Sequence, residues 1–184
     1  QSLGSVKVSK LKLGKKYTMT AYQKKKVYAK KSFYAETKNI KDIILGGLAQ
    51  IPHTSRLHKE IMLVVDGFED GVSQSDCFKS IHKKYDEYSA HGWCHTISNA
   101  MIVAASLLYG DGDYGKSICM SVETGFDTDC NGATVGSILG MANGIDSIPE
   151  YWTKPINDTL HTSILGLDIV KISDRVKLTL EHIK

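Results

Sequence analysis

Apolar residues recur at helical spacing along most of the chain, and this pattern predicts a series of amphipathic helices. The first clear helix follows Asn39, a favourable N-cap residue, and carries Ile40, Ile43, Ile44 and Leu48 on one face. Further helices are predicted from Thr54 or Ser55 to Gly67, from Ser73 or Ser75 to Tyr85, from His95 to Tyr109, from Asp113 to Glu123, from Asn131 to Asn143, and from Ser173 or Asp174 to the end of the chain.

The predicted helix between His95 and Tyr109 is apolar nearly all round, so we expect it to be the most buried. Alternating apolar residues between Leu160 and Ile172 are typical of a short strand, but no strong strand partner is evident elsewhere in the chain. The pattern therefore predicts an all-α protein, folded as a compact multi-helix bundle.

Length and composition fit a globular domain without a membrane span. The 184 residues are 42% hydrophobic and 23% charged, and no apolar run reaches the roughly 18 to 20 residues that a bilayer-spanning helix needs. The four cysteines, Cys77, Cys94, Cys119 and Cys130, include no C-x-x-C pair, which argues against a zinc ribbon or a disulfide framework. We interpret them as reduced thiols and expect a cytoplasmic protein.

Positive charge is concentrated at the start of the chain. Residues 1–41 hold twelve lysines and one acid, Glu36, whereas the whole chain has a formal charge of only +3. Residues 1–38 are therefore a distinct basic, Lys- and Tyr-rich segment, with a helix predicted from Tyr17 to Glu36. Lysines and aromatic rings together can bind nucleic acid, but a solvated surface, or a segment that has lost its packing partner, is the favoured interpretation.

The stretch from Gly125 to Gly144, GFDTDCNGATVGSILGMANG, carries the clearest chemistry. Asp127 and Asp129 are two residues apart immediately before a predicted helix, and they project to the same side if the backbone there is extended. With Thr128, Cys130 and Asn131 beside them, the two carboxylates form a partial cage for a hard divalent cation such as magnesium.

Glycine recurs every fourth residue behind these acids, at Gly132, Gly136, Gly140 and Gly144. A glycine inside a helix costs about 1 kcal/mol relative to alanine, so this stripe needs a compensating reason. We expect that another backbone packs closely against the stripe and that the helix is central, fixing the two acids rigidly.

The unit GFDTDCNGATVGSILG resembles the second metal motif of the ADP-ribosylglycohydrolases, and the resemblance extends over roughly residues 40–184. It implies an all-helical fold in which two magnesium ions support hydrolysis of the bond between ADP-ribose and a protein side chain or small molecule. Asp127 and Asp129 would be metal ligands. Cys130 stands where many relatives use a Thr or Ser hydroxyl, and a thiol is a poor ligand for magnesium.

Family members carry two further motifs before this one, a glycine-rich segment with a catalytic glutamate and a T-D-D unit, and neither is present here. Asp66, Glu69 and Asp70 occupy the wrong place in the order, and we interpret them as a solvated loop. The resemblance thus predicts that residues 39–184 are the carboxyl-terminal part of an incomplete domain. This chain would supply half of the metal site, with no identifiable catalytic residue and no turnover alone.

Several alternatives stay open at this point. His95 could contact the substrate or cap its helix, and Asn99 could contact the substrate or hydrogen-bond across the helical core. The chain could be a non-catalytic relative that binds ADP-ribose or has a structural role, and apolar surface left exposed could favour a homodimer. The sequence does not distinguish arginine, serine or a small molecule as the acceptor of the ADP-ribose.

Overall fold

The computed structural model describes residues 38–183, which fall into two compact units, residues 38–148 and residues 149–183. The described residues form eight α-helices and one small two-stranded sheet, so the prediction of an all-α fold is confirmed. No helix within residues 38–183 is long and apolar enough to cross a bilayer. The predicted helix from Tyr17 to Glu36 lies outside the described residues.

The first unit contains six of these helices. Their bounds are α1 Ile40–Leu48, α2 Arg56–Glu69, α3 Gln74–Lys84, α4 Thr96–Gly110, α5 Tyr114–Glu123 and α6 Thr128–Asn143, followed by a short 3₁₀ turn at Ile145–Ser147. Helices α1, α2 and α3 begin directly after capping residues that the sequence predicted. The side chains of Asn39, Ser55 and Ser73 each accept a hydrogen bond from the backbone N–H three residues ahead.

Helix α4 is the centre of the first unit, as its apolar composition predicted. It contributes ten buried residues, among them Ile102 and Ala105, which are fully buried. Helices α2 and α3 pack on one part of α4 around Val65 and Ile81, whereas Leu107 of α4 joins the apolar side chains of α6 in a second cluster. Helices α4 and α6 therefore share buried surface, which fixes α6 within the bundle.

The glycine stripe of α6 faces α5, but side chains rather than backbone fill the space. A Cβ added at Gly132 would lie 3.1 Å from Val122 Cγ2, and one at Gly136 would lie 3.1 Å from the Tyr114 hydroxyl. The glycines do allow α5 to pack closely on α6, but the expectation that a backbone would contact them is wrong, because side chains of α5 occupy that space. Gly144 does not belong to the packed stripe, because it ends the helix with φ of +85° and open space around it.

Helix α2 is longer than predicted. It continues through Gly67 to Glu69, and the chain leaves the helix only at Gly71, where φ is +76°. Asp66 and Glu69 are therefore helical residues, which corrects their assignment to a loop, although both are exposed as expected. Glu69 forms an exposed ion pair with Lys41 of α1.

The second unit begins with α7 at Glu150–Thr153 and a 3₁₀ turn at Lys154–Ile156, and it ends with α8 at Ile172–Ile183. Between them, β1 at Thr159–His161 pairs antiparallel with β2 at Ile169–Lys171. The alternating segment from Leu160 to Ile172 therefore contains most of a β-hairpin. The strand partner that the sequence did not reveal lies within the same segment, because its second half pairs with its first half. A register that sets Leu160 opposite Val170 puts the two apolar side chains on the same face.

Candidate metal centre

The D-T-D unit follows a tight turn between α5 and α6. Gly125 and Phe126 both adopt left-handed backbone conformations, with φ of 87° and 61°. This conformation costs a non-glycine residue about 1–2 kcal/mol, so Phe126 needs a compensating interaction. Phe126 is 7% exposed and belongs to the main core cluster, and burial of its aromatic ring outweighs a cost of that size.

Two residues outside the turn hydrogen-bond to its backbone. Glu87, in the loop after α3, accepts a hydrogen bond from Phe126 N at 2.7 Å through Oε2. His82 Nε2 lies 2.9 Å from Thr124 O and 3.1 Å from Thr124 Oγ1, and the His82 ring packs against Phe126 with centroids 5.0 Å apart. The turn is therefore fixed from the α3 side before the metal motif begins.

Asn99 of α4 fixes the start of the motif itself. Its Oδ1 accepts hydrogen bonds from Asp127 N at 3.1 Å and from Asn131 Nδ2 at 2.7 Å. Its Nδ2 donates to the carbonyl oxygens of Trp93 at 2.8 Å and His95 at 3.0 Å. Both polar atoms of one amide are thus used to join the loop before α4 to the first turn of α6, where Asn131 is 2% exposed.

Asp127 and Asp129 converge, although the backbone is not extended as the sequence analysis assumed. Helix α6 already begins at Thr128, three residues earlier than predicted, so Asp127 is the N-cap residue and Asp129 lies in the first turn. One carboxylate oxygen of each aspartate and the Cys130 sulfur lie within 4.8 Å of one another. Asp127 makes no capping hydrogen bond to α6, which leaves its carboxylate directed at this cluster.

Hydrogen bonding shifts the pKa of two groups in this cluster, the Asp129 carboxyl and the Cys130 thiol. A hydrogen bond with Asp127, together with the backbone N–H groups of Cys130 and Asp129, lowers the pKa of Asp129 from its usual value. The positive end of the α6 dipole acts in the same direction. The Asp127 carboxylate accepts the thiol proton of Cys130, and this hydrogen bond raises the pKa of that thiol. At neutral pH, Asp129 is therefore an anion and Cys130 is a protonated thiol.

Two of the three donors, the carboxylates of Asp127 and Asp129, suit a divalent cation such as magnesium. Carboxylate oxygens are the ligands that magnesium prefers, and both acids lie where solvent can reach them. A protonated thiol is a soft, weak donor that contributes little to a magnesium site. Within residues 38–183, these three residues form the one group of three or more His, Cys, Asp or Glu side chains with metal-ligand spacing.

The two predicted substrate contacts lie next to the metal motif but have structural partners. His95 is the N-cap residue of α4, where its Nδ1 accepts a hydrogen bond from Ile97 N at 3.3 Å and its ring stacks on Tyr85. Asn99 has the four hydrogen bonds described above. These contacts favour the capping and core interpretations of the two residues, and a contact of either with the substrate stays a prediction.

Glu87 and His82 carry no sequence signal that marks them as partners of the metal motif. They precede the turn by about 40 residues, and neither belongs to a local motif or an apolar stripe. Only knowledge of how α3 packs near the start of α6 could have identified them.

Residues 19–181, most of the chain, match the family model described as ADP-ribosylglycohydrolase. Neither curated proteins nor solved structures gave a significant match.

Proposed function

The chain belongs to the ADP-ribosylglycohydrolase family, and from that premise we propose that it takes part in hydrolysis of an ADP-ribosyl glycosidic bond with magnesium bound at Asp127 and Asp129. Membership indicates a glycohydrolase-like enzyme. The substrate would be a protein or small molecule that carries ADP-ribose. The nature of the metal and the roles of individual residues belong to the proposal.

One observation carries this proposal. Two carboxylate oxygens from different positions of α6, at its N-cap and in its first turn, come within 4.8 Å of each other. Two anions this close repel each other unless a cation or a shared proton lies between them, and a divalent cation meets that need at neutral pH. The left-handed turn and the hydrogen bonds of Asn99 and Glu87 support the arrangement before any cation arrives.

Each residue has a defined task in this scheme. Asp129 provides an ionised carboxylate, because its lowered pKa keeps it deprotonated far below neutral pH. Asp127 provides the second carboxylate, and Asn99 fixes the Asp127 backbone through its N–H. When bound, the cation would supply Lewis-acid stabilisation of oxygen atoms on the ribose or the attacking water. Cys130 is not a magnesium ligand in this proposal.

We further propose that this chain supplies half of a two-metal site and has no turnover alone. A two-metal site needs carboxylates on both sides of the ion pair. Asp127, Asp129 and Cys130 are the one such cluster within residues 38–183, and all three lie at the N-cap and in the first turn of one helix. A second set of ligands would therefore have to come from elsewhere.

Magnesium binding tests the metal part of the proposal. Titration calorimetry should detect binding to the unaltered chain, and Asp127→Asn and Asp129→Asn should each weaken it by about tenfold or more, since even outer-shell changes cost 10–100-fold. Asp113→Asn is the matched control, because Asp113 also starts a helix but uses its carboxylate to cap it. Equal affinity in all four proteins would overturn the assignment of the two acids.

A hydrolysis assay tests the enzyme class and the claim that the chain has no turnover alone. Peptides carrying ADP-ribosylated arginine or serine, incubated with the chain and magnesium, should release no ADP-ribose above the rate without protein. Magnesium-dependent release that disappears in Asp127→Asn would support the enzyme class and contradict the claim that the chain is inactive alone. Binding of free ADP-ribose that needs neither magnesium nor Asp127 would instead support a non-catalytic relative.

A further inference from the structure

We propose that a cavity between α2 and α3 binds a small, uncharged aromatic molecule that carries one hydrogen-bond donor, as a phenol does. The residues that line this cavity belong to α2, to α3, to the loop between them and to α4, and none belongs to α6. The inference therefore goes beyond the proposed function and does not depend on it.

The cavity has the size of a site for one substituted ring. Its volume is about 280 Å³. Protein interiors contain few voids larger than a water molecule, and an apolar cavity of about 150 Å³ already holds benzene, whereas drug-sized ligands occupy about 300–1,000 Å³. The space is thus too large to be a packing defect and fits a ring with one or two substituents.

The walls of the cavity favour an aromatic ligand. Three of its lining residues, Val64, Cys77 and Met101, are at most 6% exposed and present apolar or sulfur-containing side chains. The thioether of methionine makes favourable contacts with aromatic rings. Leu63 and Val72 also line the cavity but are 58% and 40% exposed. A ligand can therefore enter between these two residues without local unfolding, and it would cover exposed apolar surface.

Glu60 supplies the polar contact. Its Oε1 is paired with Lys84 Nζ, but its Oε2 is buried and has no hydrogen-bond partner within residues 38–183. Ser80 lines the cavity as well, yet its hydroxyl already donates to Cys77 O. A buried oxygen without a partner is unfavourable, and a ligand that donates a hydrogen bond to it removes that cost. Small rotations of the Glu60 and Lys84 side chains would turn this oxygen toward the ligand.

The charges around the cavity favour a neutral donor. Lys84 already balances the charge of Glu60, and Lys79 Nζ lies 3.6 Å from Asp76 Oδ1 near the start of α3. Glu60 therefore lacks a hydrogen bond and not a counter-ion. A charged ligand would lose its hydration in an apolar cavity that offers no free counter-ion, whereas a phenol is neutral at pH 7.

Gly67 keeps the cavity open. It lies inside α2, where glycine is less favourable than alanine, yet the fold does not require a glycine there. Its φ is not positive, and an added Cβ would meet only the Val72 side chain, at ordinary contact distances of 3.7 and 3.9 Å. Because Gly67 lines the cavity, a larger side chain at this position would reduce the space for a ligand. Binding accounts for this glycine, whereas helix stability and packing do not.

Nuclear magnetic resonance of the methionine methyl groups tests the site in the full chain. The probe is 4-methylphenol, and toluene is the matched ligand without a hydrogen-bond donor. We expect 4-methylphenol to shift the Met101 methyl signal in a saturable way. Toluene should bind about tenfold or more weakly, because hydrogen bonds to charged groups are among the stronger ones.

Two positions provide the variants. Gly67→Leu should fill the cavity and abolish the saturable shift, whereas Gly67→Ala is the matched control and should bind 4-methylphenol nearly as the unaltered chain does. Glu60→Leu removes the acceptor, so it should bind 4-methylphenol and toluene equally tightly. Circular dichroism checks that all three variants are folded.

Four outcomes would overturn the inference. Equal affinity for toluene and 4-methylphenol in the unaltered chain contradicts the role of Glu60. A shift of Met101 that survives Gly67→Leu, or no saturable shift with either probe, contradicts the site. Tighter binding of benzylamine than of 4-methylphenol contradicts a neutral ligand. Tighter binding of N-acetyltyrosinamide than of 4-methylphenol shows that the cavity takes a tyrosine side chain of a protein rather than a small molecule. None of these results bears on magnesium binding at Asp127 and Asp129, so the two proposals fail separately.

Discussion

The turn from α4 to α5 and the turn from α5 to α6 share a pair of left-handed residues but have different uses. In the first, Asp111 and Gly112 are left-handed, with φ of 53° and 76°, and in the second Gly125 and Phe126 are left-handed, with φ of 87° and 61°. Each turn then delivers an aspartate to the N-cap position of the next helix. We call them the capping turn and the metal turn.

The two N-cap aspartates differ in what their carboxylates contact. Asp113 Oδ1 accepts a hydrogen bond from Lys116 N at 2.6 Å, which satisfies an unpaired N–H of α5. Asp127 makes no such bond, and its carboxylate faces Asp129 and Cys130 instead. Space around the glycines differs as well, because Gly112 has no atom within 4 Å of an added Cβ, whereas Gly125 is covered by Glu87.

This difference shows that a pair of left-handed residues before an N-cap aspartate does not by itself make a site. Side chains distant in sequence, His82, Glu87 and Asn99, hold the peptide groups of the metal turn in place, so Asp127 need not cap its own helix to fix the turn. The hydrogen bonds within the capping turn are local, from Asp111 N to Leu108 O and from Asp113 N to Gly110 O. Four predictions test this contrast.

Asn99→Ala should have the largest effect on stability. It removes four hydrogen bonds and leaves the buried Asn131 amide and the Asp127 N–H without their partner. Because an orphaned buried polar group costs about 1–3 kcal/mol, we expect a loss of about 2–4 kcal/mol in the free energy of unfolding. Urea denaturation measures it. The double variant Asn99→Ala with Asn131→Ala should lose less than the sum of the two single changes, since the two residues share a bond. A loss below about 1 kcal/mol would contradict the role of Asn99.

Gly125→Ala and Gly112→Ala should separate the two turns. Both glycines have positive φ, which alone costs alanine about 1 kcal/mol. At Gly125 the added methyl would also lie 2.5 Å from Glu87 Oε2 and displace the acceptor of Phe126 N. We therefore expect about 1 kcal/mol for Gly112→Ala and about 2–3 kcal/mol for Gly125→Ala, measured by thermal and urea unfolding. Equal losses would show that Glu87 does not constrain the metal turn.

The sequence was sufficient for the helices because each has a local signal. Capping residues and apolar stripes located the starts of α1, α2 and α3, and Asp113 located α5. The errors occurred where a local signal has two meanings. Gly67 resembled a helix end, yet the helix continues through it and leaves at Gly71. The alternation after Leu160 was interpreted as one strand, although a turn inside the segment lets it pair with itself.

The candidate site was only partly predictable for a related reason. Asp127, Asp129 and Cys130 are neighbours in sequence, so their type and spacing suggested a cation cage directly. Their convergence depends on a helix that begins at Thr128 and on two left-handed residues before it, and neither feature follows from propensity alone. The supporting residues, above all Glu87 and His82, lie far away in sequence and become partners only through the packing of α3 and α4.

Alanine at the two N-cap aspartates should give a smaller and opposite contrast. Asp113→Ala removes the bond to Lys116 N and should cost about 1 kcal/mol, the usual value of an N-cap. Asp127→Ala removes no capping bond, and the hydrogen bonds that it does remove, with Asp129 and Cys130, lie at the exposed surface, so its effect should stay within about 0.5 kcal/mol of zero. Unfolding without divalent cations measures both. If Asp127→Ala lowered the free energy of unfolding as much as Asp113→Ala does, both aspartates would stabilise their helices as N-caps, and the contrast would be wrong.

The smallest effect should come from the charge of Asp129. Its pKa is lowered in the folded protein, first by the hydrogen bond with Asp127 and then by the backbone N–H groups of Cys130 and Asp129. The ionised form therefore stabilises the native state above the unfolded pKa of about 3.9, and this contribution is lost as pH falls through the folded pKa. Compared with the unaltered chain in a chelator, Asp129→Asn should be less stable at pH 7, and the difference should vanish in acid below the folded pKa. In an Asp127→Ala background the pH-dependent part should shrink, because the hydrogen bond that is its first cause has been removed. A difference that grows as pH falls would show that repulsion from Asp127, rather than hydrogen bonding at the helix start, controls the metal turn.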